Sequence, residues 1–175
     1  MSDIAPTEKG PKVITIGNKQ YSIDQAENLA KSAGSWFILV AGLSLVNSVS
    51  ILMHWDLEMV LGLGLLGWMR MIPAAIDARS EEFGITATTA AMVYGVVAVL
   101  SAAFFCYLGV KARELSLAAF RVGMVVYLVD AVLLAVVGEW IGLAFHAFVL
   151  FTVWCGYGIA KQIVTAHAEL PPAAA

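Results

Sequence analysis

Apolar residues in this chain fall into runs of about 20 residues, each closed by a short polar or charged break. Residues 35–53 (SWFILVAGLSLVNSVSILM) form the first run, and His54-Trp55-Asp56 closes it. Further runs occupy 85–110, 117–137 and 140–160. A helix rises about 1.5 Å per residue, so each run can cross the roughly 30 Å of hydrocarbon in a bilayer. Lys111-Ala112-Arg113-Glu114 is expected to form a tight charged turn between the second and third runs, and Gly138-Glu139 turns the third directly into the fourth. Lys161 begins a polar tail that ends in PPAAA.

One more apolar stretch, 59–76 (MVLGLGLLGWMRMIPAAI), is interrupted by Gly62, Gly64, Gly67, Arg70 and Pro73. It reads as a re-entrant or interfacial segment, with Arg70 reaching the headgroups along its own aliphatic stem. Re-entrant backbone is tolerated only where protein or a wet cavity surrounds it, so a segment that dips inward should do so beside other polar groups. Ahead of the first run the pattern changes. Met1 to Pro11 is polar and carries two prolines, and Lys12 to Ile23 places two β-favouring runs around Gly17-Asn18, a hairpin signal. Such a hairpin is marginal alone and needs support from a partner, a helix or headgroups. Ser22 followed by Gln25 fits a capping box for a helix starting near Asp24 and running on into the membrane.

Composition agrees with this pattern. The chain is 61% hydrophobic and 13% charged, about half the charge of a soluble domain, which places it among membrane proteins. The net charge of −3 is small and no basic run points to nucleic acid. Charge matters through its placement. If 59–76 does not cross, Lys9, Lys12, Lys19, Lys31, Lys111, Arg113 and Lys161 share one side, opposed by Arg70 and Arg79. If it crosses, Lys111, Arg113 and Lys161 move away. Excess Lys and Arg mark the cytoplasmic side, so four spans with both termini cytoplasmic are favoured. The expected fold is an all-α membrane protein: a four-helix transmembrane bundle (33–161) with an extra re-entrant or interfacial segment, a small N-terminal cytoplasmic β-hairpin within 1–32, and a cytoplasmic tail (162–175). The first 34 residues are mostly polar, so the first span is expected to be an uncleaved anchor, and no lipidation motif is recognised.

The turn at Gly138 sets a common depth for its two flanking helices. Asp130 lies eight residues before it and His146 eight after, about 12 Å below the rim in each case. Asn47, seven residues from His54, and Tyr94, nine from Ile85, reach similar depths. Helical spacing puts Ser44, Asn47, Ser50 and His54 on one stripe, Gly123, Tyr127 and Asp130 on another, and Glu139, Gly142 and His146 on a third. The candidate site is therefore an intramembrane polar layer of Asp130, His146, Asn47, Tyr94 and Tyr127, with His54, Asp56, Arg70 and Glu139 at the outer rim. An ionised carboxylate in hydrocarbon costs ~2.5–3.5 kcal/mol on insertion scales, so Asp130 is expected to be paired, protonated or wet, with His146 its natural partner. Two readings stand side by side. Such groups hold bundles together, at ~0.6–2 kcal/mol per bond, and they also line proton or substrate pathways.

Other chemistries find less support. His146 has only Asp130 at matching depth, so no metal is expected, and a bis-histidine haem lacks its second histidine within a span. No cofactor is called for, although a quinone pocket of His, Asp and aromatics is compatible with the layer. Ser44, Ser48, Ser50 and Ser101 lack the glycine-framed elbow of a nucleophile, and Gly62, Gly64 and Gly67 open no phosphate loop. Gly138-x-x-x-Gly142 reads as turn chemistry more than a dimer face. Cys106 and Cys155 read as inert buried thiols and Trp154 as core packing. Trp55, Trp68 and Trp140 would form an outer aromatic belt, with Trp36 and Tyr107 in an inner one.

The run Ser35-Trp36-Phe37 through Gly42-Leu43-Ser44-Leu45-Val46-Asn47-Ser48 resembles the first span of small, uncharacterised bacterial multi-pass membrane proteins, as does Gly142-Leu143-Ala144-Phe145-His146-Ala147-Phe148. The resemblance implies a bacterial inner membrane and brings no activity with it. The expected function is non-enzymatic: a scaffold, assembly or regulatory partner in a membrane complex, with the hairpin available for docking. The alternatives are a small proton-linked transporter or permease using Asp130 and His146, and a quinone- or haem-binding redox accessory. The expected partners are the bilayer, a membrane protein or a second copy of the chain, and not nucleic acid.

Overall fold

The computed structural model describes residues 13–53, 63–64 and 87–168. The chain opens with a two-stranded antiparallel hairpin, β1 (Val13–Ile16) and β2 (Lys19–Ser22), pairing Val13 with Ser22 and Ile16 with Lys19. Gly17 takes φ +61° at the first turn position, a conformation that glycine adopts without penalty. Helix α1 (Ile23–Leu52) follows at once, and the capping box is formed in both directions. The Gln25 backbone N–H donates to Ser22 Oγ at 3.3 Å, and the Ser22 N–H donates to Gln25 Oε1 at 3.1 Å.

Three further helices are α2 (Ala87–Arg113), α3 (Leu117–Val137) and α4 (Trp140–Ala168). All four helices are long and apolar enough to cross a membrane, and the described part of the chain is a helical bundle with a small hairpin. Neighbours pack in the order α1–α2, α2–α3, α3–α4 and α4–α1, with α2 and α3 meeting less extensively than the other pairs. Small residues allow the close approaches. A side chain on Gly34 would meet Ala112, and one on Gly156 would meet Ala33. Phe37 of α1 crosses the bundle, so that its ring fills the space above Gly123 on α3. Phe37, Phe105, Phe120 and Tyr127 form the aromatic centre of the core. Near the chain's start, Ala26, Ala30, Ala112 and Ile163 are fully buried, and Ile14, Ile16 and Tyr21 of the hairpin pack against this core. The support the hairpin needs thus comes from the bundle's own helices.

Four sequence expectations need correction. The charged turn lies one step later than expected: Lys111, Ala112 and Arg113 are the last helical turn of α2, and the chain reverses at Glu114-Leu115, where Leu115 has φ 61°. Helix α4 does not end at residue 160 but continues past Lys161 to Ala168, because Ile163 still has a core to bury against. Trp154 is 64% exposed rather than in the core. Cys155 is also exposed and Cys106 half-buried, so neither is a buried thiol. The last two errors share a cause, since a membrane bundle offers apolar side chains lipid on one face and protein on the other.

Every described Lys and Arg (Lys19, Lys31, Lys111, Arg113, Arg121, Lys161) lies at the hairpin end of the bundle. At the opposite end, Gly138 closes α3 in the left-handed conformation (φ 79°), its N–H bonding to Ala135 O at 3.3 Å and the Glu139 N–H to Leu134 O at 3.1 Å. Gly138→Ala should therefore cost about 1–2 kcal/mol. Gly42→Ala, at a helical position with open space around it, should be neutral or stabilise by up to about 1 kcal/mol. Reversible unfolding in mixed micelles would compare the two, and equal effects would refute this account of the turn.

Candidate functional site

The polar layer forms near the Gly138 end of the bundle, around one side-chain pair. Asp130 projects from the inner face of α3, the face that also carries Gly123, Tyr127 and Leu134, while His146 shares the inner face of α4 with Gly142, Val149 and Val153. The His146 Nε2 to Asp130 Oδ2 distance is 2.8 Å, with His146 fully buried and Asp130 5% exposed. Equal spacing from the turn brings the two residues face to face.

The rest of the hydrogen bonding fixes where protons can be. His146 Nδ1 lies 2.8 Å from the Gly142 carbonyl, which can only accept, so Nδ1 carries a hydrogen. A single proton is then left for the Nε2–Oδ2 contact. On nitrogen it gives imidazolium and carboxylate, and on oxygen it gives imidazole and carboxylic acid. The pair has no net charge in either form, which removes most of the cost of placing a carboxyl group at this depth. Tyr127 stacks on the imidazole at 4.2 Å and 11° between planes, holding the ring's orientation. The Tyr127 hydroxyl is enclosed and has no hydrogen-bond partner.

A second group of donors comes from the chain's backbone. The Gly64 N–H donates to the same Asp130 Oδ2 at 2.7 Å, and the preceding Leu63 N–H donates to Ser44 Oγ on α1 at 2.9 Å. Both amides therefore donate to side chains of the bundle, one on α1 and one on α3. Glycine is required at 64 by close approach, since a side-chain carbon there would lie 2.5 Å from Leu134 Cγ. From Ser44 the network runs on through α1. The Ser44 hydroxyl donates to Val40 O at 2.7 Å and the Ser48 hydroxyl to Ser44 O at 2.8 Å, while Tyr94 of α2 donates to Ser48 Oγ at 3.3 Å. All four helices and residues 63–64 thus share one buried network.

The structure sorts the sequence candidates. Asp130, His146, Tyr127 and Tyr94 are brought together. Asn47 is half-buried and makes no hydrogen bond to the layer; Ser48, one residue on, takes that position. Ser44 and Ser50 are buried as their stripe implied. Glu139 is exposed and precedes the first residue of α4, so it does not join the His146 face. His54, Asp56 and Arg70 lie outside the described residues, as do Trp55, Trp68 and all of 59–76 except Leu63 and Gly64. Sequence reasoning missed the two backbone amides, which no residue type announces. It could have found Ser48, four residues from Ser44 on the same face.

Beside this network, between α2 and α3, lies a crevice of about 330 Å³. Its walls are apolar, its mouth is on the outer surface of the bundle, and Leu63 and Asp130 contribute to its lining. No protein-family model, no curated protein and no solved structure matches the chain, so the site is read from its own chemistry.

Proposed function

We propose that the chain is a non-enzymatic scaffold, assembly or regulatory protein of a bacterial inner membrane, with both termini cytoplasmic, in which the Asp130–His146 pair fastens residues 63–64 to the bundle. The gathering of described Lys and Arg at the hairpin end supports the orientation. One observation carries the scaffold reading: the bonds of the pair go to protein. Asp130 Oδ2 is shared by the Gly64 N–H and His146, and His146 Nδ1 is held by the Gly142 carbonyl. The neighbouring crevice is apolar, which suits neither a hydrated ion nor a polar substrate. The partner is a membrane protein or a second copy of the chain. For a soluble contact, the hairpin turns Thr15, Lys19 and Gln20 outward.

Proton-linked transport is the second reading, favoured by the lone proton shared between Asp130 and His146. Asp130→Asn separates the two. An amide oxygen at the Oδ2 position can accept from Gly64, but it then meets the Nε2 lone pair of a ring whose Nδ1 is already a donor. The variant loses one hydrogen bond, about 1 kcal/mol of stability. In proteoliposomes carrying a pH dye, the scaffold reading expects equal proton leak for the wild type and Asp130→Asn. It also expects one stoichiometric membrane partner, or a homodimer, after mild extraction. A wild-type proton flux that Asp130→Asn abolishes would overturn it.

A further inference from the structure

We propose that the crevice between α2 and α3 binds a neutral, membrane-dissolved carbonyl compound of the quinone type, with its ring against Phe104 and Phe105, a carbonyl oxygen on Ser101, and its apolar tail leaving along α3 into the lipid. The inference rests on the chain spanning a membrane and is independent of the scaffold assignment.

Three observations point to this ligand. The first is shape: about 330 Å³ is at the small end of ligand pockets, enough for a ring with the start of a tail. The mouth is flanked by Val125 and Val129, exposed residues one turn apart on α3, so a tail can pass out sideways. Phe104 and Phe105, edge to face at 5.8 Å and 85°, supply aromatic surface for a flat head. The second is unused hydrogen-bonding capacity. Ser101 lines the crevice and makes no hydrogen bond among the described residues. Asp130 already has its donors. The Ser101 hydroxyl can donate as well as accept, and a ligand that takes up its hydrogen brings an acceptor oxygen. A charged acceptor would be expelled by the hydrocarbon, so the oxygen is a neutral one, such as a carbonyl.

The third observation is depth. Ser101 lies 14 residues from the start of α2 and 12 from its end, about 21 and 18 Å along the helix. It therefore sits near the bilayer midplane, about 15 Å from either edge of the hydrocarbon core. The ester carbonyls of a phospholipid stay at those edges. A carbonyl at the depth of Ser101 belongs to a molecule that lives inside the bilayer.

The test uses the full chain in lipid nanodiscs and decylubiquinone, a benzoquinone with a ten-carbon tail, quantified after separation of the discs. The expected result is saturable uptake of one quinone per chain above the level of empty discs. Ser101→Ala should weaken it about fivefold, the effect of one hydrogen bond, with unchanged thermal stability. Val129→Trp, which fills the mouth, should abolish uptake, while Val136→Trp on the same helix but away from the crevice should leave it intact. Decylbenzene, with ring and tail but no oxygen, should not compete. Uptake equal to empty discs, equal competition by decylbenzene, or indifference to both Ser101→Ala and Val129→Trp would each overturn the proposal.

Discussion

Asp130→Ala is expected to lower the unfolding free energy by about 3 kcal/mol, measured by reversible unfolding in mixed micelles. A single hydrogen bond between membrane helices averages ~0.6 kcal/mol and reaches ~1.7 at most, because the inserted but unpacked helix also finds partners. Asp130 exceeds that range because one oxygen serves two donors. Its removal leaves the Gly64 N–H and His146 Nε2 unpaired together, and breaking a buried pair typically costs ~3–5 kcal/mol. A double-mutant cycle with His146→Ala should show coupling above about 1 kcal/mol. The Gly64 amide remains orphaned in the double variant, so full recovery is not expected. Additive single effects would mean that the two side chains stabilise the bundle independently.

The second large effect is expected at Gly123. Phe37 fills the space that a side chain at 123 would occupy, and Gly123 is the point where α3 admits a ring from α1 across the bundle. Gly123→Leu should cost about 3 kcal/mol, at the top of the usual range for an overfilled core. Phe37→Ala alone should cost about 3–5 kcal/mol through the cavity it opens. Combined, the two should cost clearly less than their sum, since the leucine enters the space the ring vacates. Strict additivity in the same unfolding assay would contradict this packing.

Much of the fold was legible because hydrocarbon imposes a blunt requirement: long apolar runs must be helices, and charges must sit at their ends. The hairpin and its capping box were legible from Gly17-Asn18 and Ser22-Gln25, where local chemistry decides local geometry. The facing of Asp130 and His146 followed from equal distances to one glycine turn. Rotation about each helix axis was harder to read. Asn47 and Ser48 are both compatible with Ser44 on one stripe, at spacings of three and four, and only the packing of α1 against α2 selects Ser48. Trp154 and Cys155 show the same ambiguity, since hydrophobicity cannot tell a lipid-facing position from a protein-facing one. The crevice was not legible at all, because it arises where α2 and α3 meet least closely, a property of the assembled bundle.

The two neighbouring amides of Leu63 and Gly64 gain their acceptors at different stages of synthesis. Ser44, the acceptor for Leu63, precedes it by 19 residues and is already in place when the segment emerges. Asp130, the acceptor for Gly64, is made 66 residues later. A chain halted before α3 therefore holds this segment by one hand, with the Gly64 N–H unsatisfied. Insertion of α3 supplies the carboxylate and α4 the imidazole that shares its proton. The His–Asp pair thus forms only on chains translated past His146, within the first turns of α4.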